Sequence, residues 1–166
     1  SVIATAEGGY LLAGHSNSNA SGDKSEDTRG ASDYWIVKID AQKNKLWDKT
    51  FGGLGDEELR SVIAAPDGGY LLAGHSPSNA SGDKSENSKG FSDYWVVKID
   101  DQGNKLWDKT YGGNRGDLLF SGIATPDGGY LLAGYSESSA SGDKSENNIR
   151  IIDYWVVRID DQGNKI

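Results

Sequence analysis

Asp93-Tyr94-Trp95-Val96-Val97-Lys98-Ile99-Asp100-Asp101-Gln102-Gly103-Asn104-Lys105-Leu106-Trp107 is the stretch that decides the fold. Its first half alternates, which puts Trp95, Val97 and Ile99 on one face of a strand. Asp101 to Asn104 is a hairpin turn signal, and Leu106 to Tyr111 reads as the returning strand. Upstream, Leu59 to Ala65 is a short apolar run closed by the turn Pro66-Asp67-Gly68-Gly69. Tyr70-Leu71-Leu72-Ala73-Gly74 is too short for a helix and nearly all apolar, so it suits a strand buried on both faces. A polar stretch, His75 to Ser92, separates it from Asp93. No window carries convincing helical periodicity. The unit is therefore read as four antiparallel strands with one long loop between the second and the third.

That unit recurs. Ser1-Val2-Ile3-Ala4 returns as Ser61-Val62-Ile63-Ala64 and as Ser121-Gly122-Ile123-Ala124, a period of 60 residues. The first two copies agree at about 42 of 60 positions, and the third stops at Ile166 before its fourth strand. Residues 1–60, 61–120 and 121–166 are read as three successive units, the last truncated. One such sheet cannot bury both its faces alone, so neighbours must stack. The expected fold is all-β: four-stranded antiparallel β-propeller blades, nearly three in a row, in a propeller that is incomplete or completed by other chains. A β-solenoid and separate small sandwiches fit the repeat length less well.

The composition narrows the function classes. The chain of 166 residues carries 17 Lys+Arg against 25 Asp+Glu, for a net charge of -8. That balance argues against nucleic acid and against anionic membrane surfaces, and no apolar run reaches spanning length. There is no Cys, which removes disulfides, zinc thiolates and thiol nucleophiles. There is also no Met and no signal peptide, so the expectation is a piece of a longer precursor.

The segment Asp93 to Trp107 resembles the blade motif of quinoprotein-like propellers, in which a strand ending in Asp, a Gly-containing turn and a Leu-Trp strand recur. The whole unit is also similar to repeats in large secreted or surface proteins of bacteria that use type IX secretion. It shares their Asp-Gly-Gly-Tyr (67–70), Gly-Asp-rich loop, Asp-Tyr-Trp-Val-Val-Lys (93–98) and Trp-Asp-Lys-Thr-Tyr-Gly-Gly (107–113). The resemblance implies an extracellular or cell-surface location and no assigned catalytic residues.

Four features carry candidate chemistry. Trp35, Trp95 and Trp155 on the third strands, with Trp47 and Trp107 on the fourth, suit blade-to-blade packing better than sugar stacking, because they sit inside alternating strands. The polar loop repeats almost unchanged as Ala80-Ser81-Gly82-Asp83-Lys84-Ser85-Glu86. Its acids and the one opening the next strand make a candidate calcium set: Asp23, Glu26 and Asp33; Asp83, Glu86 and Asp93; Asp143, Glu146 and Asp153. A hard cation takes six to eight oxygens. The spacing does not match an EF-hand, however, and Lys24, Lys84 and Lys144 sit amid the acids. The competing reading is a turn held by its own Ser and Asp side chains on backbone amides. Both stay open at this point. The flank after the loop differs in every unit: Asp27 to Ser32, Asn87 to Ser92 and Asn147 to Ile152. Differing loops on a repeated frame are where specificity would reside. Finally, His15 and His75 share a position taken by Tyr135, and without a second ligand at metal spacing they read as structural.

The acids repeat once per unit, and nothing resembles a nucleophile–base pair. The expected function is a non-enzymatic binding, adhesion or scaffold segment of a larger bacterial surface protein, with Ca2+ as its one candidate cofactor. Its expected partners are other blades of the parent chain or copies of itself, and a glycan or protein ligand on the loops. The alternatives are a carbohydrate-active or lectin-type propeller and a purely structural spacer.

Overall fold

A computed structural model describes residues 1–166 as eleven strands in three antiparallel sheets, with no helix. The first sheet is β1 (Val2–Ala4), β2 (Tyr10–Ser16), β3 (Asp33–Ile39) and β4 (Lys45–Phe51). The second is β5 (Glu58–Ala64), β6 (Tyr70–Ser76), β7 (Asp93–Ile99) and β8 (Lys105–Tyr111). The third is β9 (Asp117–Ala124), β10 (Tyr130–Ser136) and β11 (Asp153–Ile159). Strands follow chain order within each sheet, so every connection is a simple meander. The first strands of the second and third sheets begin at Glu58 and Asp117, ahead of residues 61 and 121, where the sequence match restarts.

The local sequence explains these elements. Gly68 and Gly103 hold φ of 91° and 84° at the two hairpin turns of the second sheet, a region open to Gly at no steric cost. At each turn the chain closes on itself, as in Ala65 N–H to Gly69 C=O at 2.9 Å and Asp100 N–H to Asn104 C=O at 3.0 Å. β6 and β7 are buried along their whole length because the second sheet is covered on both faces.

Two apolar clusters glue the sheets. In one, Leu11, Ala13, Tyr34 and Ile36 of the first sheet meet Tyr70, Leu72, Trp95, Val97 and Ile99 of the second. In the other, Leu71, Ala73, Tyr94 and Val96 of the second sheet meet Leu132, Trp155, Val157 and Ile159 of the third. The junctions copy each other. Tyr34 lies 4.7 Å from Trp95 between ring centres, and Tyr94 lies 4.9 Å from Trp155, both tilted. Tyr34 Oη donates to Trp95 C=O at 2.9 Å, and Tyr94 Oη to Trp155 C=O at 2.9 Å. The alternation of Trp95, Val97 and Ile99 thus defines a docking face, and Trp95 and Trp155 are interface residues.

Candidate functional site

The long β2–β3 loops and the β4–β5 and β8–β9 connectors all lie at one end of the sheets. The connector Gly52 to Asp56 runs between the loop of the sheet it leaves and the loop of the sheet it enters. On one side, Ala31 N–H donates to Gly55 C=O at 2.8 Å and Glu57 N–H to Ser32 C=O at 2.8 Å. On the other, Gly55 N–H donates to Ser78 Oγ at 2.7 Å, Leu54 N–H to Ser81 Oγ at 3.2 Å and Asp83 N–H to Gly52 C=O at 2.8 Å. A Cβ on Gly53 would stand 2.6 Å from Ser78 Oγ, so the fit demands glycine there.

The nine carboxylates singled out in the sequence take three repeating positions in this framework. Glu26 Oε2 accepts from Thr50 N–H at 2.9 Å and Glu86 Oε2 from Thr110 N–H at 2.8 Å, tying each loop to its own fourth strand. Asp33, Asp93 and Asp153 accept from the amides of Arg29, Lys89 and Ile149 at 2.6, 2.5 and 2.5 Å, closing the flank. Asp83 Oδ2 accepts from Gly52 N–H at 3.1 Å and pairs with Arg29 Nε at 2.6 Å. Asp143 Oδ2 likewise accepts from Gly112 N–H at 3.0 Å and pairs with Lys89 Nζ at 2.8 Å. These two acids reach back to the preceding sheet and latch the junction. Asp23 and Glu146 lack the corresponding side-chain contacts, since no sheet is packed on that side of the first sheet and β11 has no fourth strand beside it in the structure. No group of three or more His, Asp or Glu side chains is gathered in a metal-holding arrangement.

The loop lysines point inward. Lys24, Lys84 and Lys144 are buried, and Lys84 Nζ donates to Glu86 C=O at 2.7 Å and Thr110 Oγ1 at 2.7 Å. Burial pushes the Lys84 ammonium down to about 8, against the pull of Asp93, Asp108, Glu86 and Glu57. The acid-rich loop therefore folds around a resident cation of its own.

Sequence reading passed over two further acid positions. Asp108 Oδ2 accepts from Ser85 N–H at 2.9 Å and from Trp95 Nε1 at 3.0 Å, while its Oδ1 meets Lys105 Nζ at 2.9 Å. Asp48 does the same with Ser25, Trp35 and Lys45. Burial raises both carboxyls, but these hydrogen bonds outweigh it and hold Asp48 at about 2 and Asp108 below its ordinary value. Glu57 is fully buried, taking Gly53 N–H at 2.8 Å and the hydroxyls of Ser76 and Ser78 at 2.9 and 2.5 Å. Asp117 replaces it at the next junction, on Gly113 N–H and Ser138 Oγ. The signal available was a charged residue recurring at the same place inside an otherwise strand-like run.

Beside Asp117 stands Asp93, whose Oδ1 is buried without a hydrogen-bond partner, as are Asp117 Oδ1 and Asp33 Oδ1. Burial first, and then the Asp117 charge, push the Asp93 carboxyl up to about 6. His75 is buried at the end of β6, and burial lowers it. It sits 3.8 Å from Glu58, with its Nδ1 unpartnered.

At the same end, the variable flank and the connectors present apolar side chains to solvent. Leu54, Phe91 and Ile151 are 74, 76 and 80% exposed. No protein-family model matches this chain, and no curated protein matches it.

Proposed function

We propose that this chain is a non-enzymatic binding segment of a secreted or surface protein. In this reading its three sheets are β-propeller blades that display ligand-contacting flanks on one end. The observation that carries it is the division of labour at the loop end. The repeated polar groups are engaged with backbone amides and with each other, whereas exposed apolar side chains sit at non-repeated positions such as Phe91 and Ile151. A side chain such as Phe91 or Ile151 that is mostly exposed is available to a partner.

The propeller reading draws support from how the sheets approach one another. The extensive backbone approaches between sheets all run through the first strands β5 and β9, which suits blades converging on an axis. It also draws on the likeness of the Asp93–Trp107 segment to quinoprotein-like blades and of the whole unit to repeats of type IX-exported proteins. Two exposed aliphatic side chains and one aromatic at this end favour an apolar protein surface over a sugar, which is held on aromatic faces.

The test is an array of extracellular proteins and glycans probed with the chain and with Phe91→Ser/Ile151→Ser. Binding to a protein that the double variant loses, with an unchanged melting temperature, supports the proposal. Turnover in a glycoside hydrolase and lyase screen would move the reading to a carbohydrate-active enzyme. Binding to neither array would leave a structural spacer.

A further inference from the structure

Each junction joins two different faces. The face turned to the following sheet presents a tyrosine at the second position of the third strand. The face turned to the preceding sheet presents the Trp-x-Val-x-Ile stripe with a Tyr and a Leu from the second strand. The two outer sheets each leave one of these faces open, and the open faces are opposite halves of the same junction. On the third sheet, Tyr154 is 74% exposed, although Tyr34 and Tyr94 at the same place are fully buried. Val156 and Ile123 are exposed beside it. On the first sheet, Tyr10 and Leu12 are 45 and 40% exposed, although Tyr70, Tyr130, Leu72 and Leu132 are buried.

We infer that a second copy of this chain docks head to tail. The Tyr154 face of one copy covers the Tyr10–Leu12–Trp35 face of the other, and Tyr154 Oη donates to the Trp35 carbonyl. The occupant is argued from the internal junctions. The fold builds this interface twice with the same side chains, the same tilted Tyr–Trp pair and the same hydroxyl-to-carbonyl bond. Some elements are not repeated. The third sheet has no fourth strand to supply a counterpart of Phe51 and Gly52, and β1 is shorter than β5 and β9. Ile149 stands where Arg29 and Lys89 form their ion pairs with Asp83 and Asp143, so Asp23 of the second copy meets no cation. The contact between copies is accordingly weaker than the internal ones. A front-to-back contact is heterologous, so it either closes into a ring or runs on as a filament. Resting on the blade reading above, two copies supply six sheets, within the range of about four to eight blades that closes.

Sedimentation and light scattering across micromolar to millimolar concentration test this, with Tyr154→Arg and Leu12→Arg. Both positions are exposed, and far-UV circular dichroism checks that each variant folds; Val156→Arg and Tyr10→Arg replace any that does not. The parent is expected to associate, and each variant alone to remain monomeric. An equimolar mixture of the two is expected to form a one-to-one complex, because each supplies the intact half that the other lacks. Ile149→Arg is expected to tighten association by up to about fivefold at low salt, the scale of an exposed ion pair. A parent that stays monomeric throughout overturns the inference. So does a mixture that fails to associate, or a Leu12→Arg variant that still dimerises through its Tyr154 face alone. Association into open-ended filaments would sustain the docking while refuting the propeller, and a closed particle of two chains would support both.

Discussion

Replacing the same tryptophan in successive sheets separates burial from chemistry. Trp95 is fully buried between the first and second sheets, whereas Trp35, at the equivalent place, faces a side that no sheet covers and is only half-buried. Both indoles donate to an aspartate, at 3.0 Å to Asp108 and 3.1 Å to Asp48, so the lost hydrogen bond is the same in both variants. A tryptophan buries about 150–250 Å2, worth about 4–6 kcal/mol at ~25 cal/mol per Å2. Truncations of this size in cores cost about 3–5 kcal/mol, cavity included. Trp95→Ala is therefore expected to cost about 4–5 kcal/mol, and Trp35→Ala about 1–2 kcal/mol. Urea unfolding followed by far-UV circular dichroism, at a concentration where the chain is monomeric, reads both values. Equal costs at the two positions would refute the assignment of Trp95 to a sheet-to-sheet core. An unchanged midpoint for Trp95→Ala together with lost sugar binding would make the tryptophans a lectin surface.

The Asp93 carboxyl, raised to about 6, implies a pH dependence of definite sign. The folded state holds this proton more tightly than the unfolded chain, so its contribution is full below about pH 4 and is lost as pH rises through about 6. Stability should fall by on the order of 2 kcal/mol across that window, and Asp93→Asn should flatten the slope in denaturant titrations at pH 4 to 7. Glycines at one repeat position should respond differently to alanine. A Cβ on Gly14 meets nothing within 4 Å, whereas one on Gly74 would crowd the Glu58 carbonyl and stand 2.6 Å from Tyr34 Oη. Gly14→Ala is expected to be neutral or stabilising by about 0.4–1 kcal/mol, and Gly74→Ala to cost about 1–3 kcal/mol, as read by thermal melts. Millimolar calcium or chelator should leave the melting curve in place, since binding to the folded state alone would raise it. A calcium-dependent rise would support the metal reading of the loop.

The strands and their order were legible because the apolar positions alternate and Gly-containing turns punctuate them: β5, β6, β7 and β8 lie where Leu59–Ala65, Tyr70–Gly74, Asp93–Asp100 and Leu106–Tyr111 put them. Trp95, Val97 and Ile99 share a face as their spacing requires. The carboxylate roles were not legible, because hydrogen bonds between sheets join residues about 31 positions apart, such as Gly52 and Asp83. A single unit read alone shows Asp83 beside Glu86 and invites a metal. Only the docked neighbour shows that the two side chains serve different strands. The inward turn of Lys84 was hidden for the same reason, since its partner Thr110 belongs to a strand 26 residues away.

The loop acids follow one rule across the chain. Seven of the nine take a backbone amide, and the two that do not, Asp23 and Glu146, lie where the sheet or strand bearing that amide is not beside them. A cation held by Asp83, Glu86 and Asp93 would have to draw them away from the amides of Gly52, Thr110 and Lys89. Each buried amide left unpaired costs about 1–3 kcal/mol. The cation would also have to share the loop with the Lys84 ammonium, which already donates to the Glu86 carbonyl and the Thr110 hydroxyl. The near-constancy of the loop is thereby accounted for by assembly. Its acids fasten a sheet to itself and to the sheet before it; in the flank Arg29 and Lys89 join that latch, while Phe91 and Ile151 stay largely exposed.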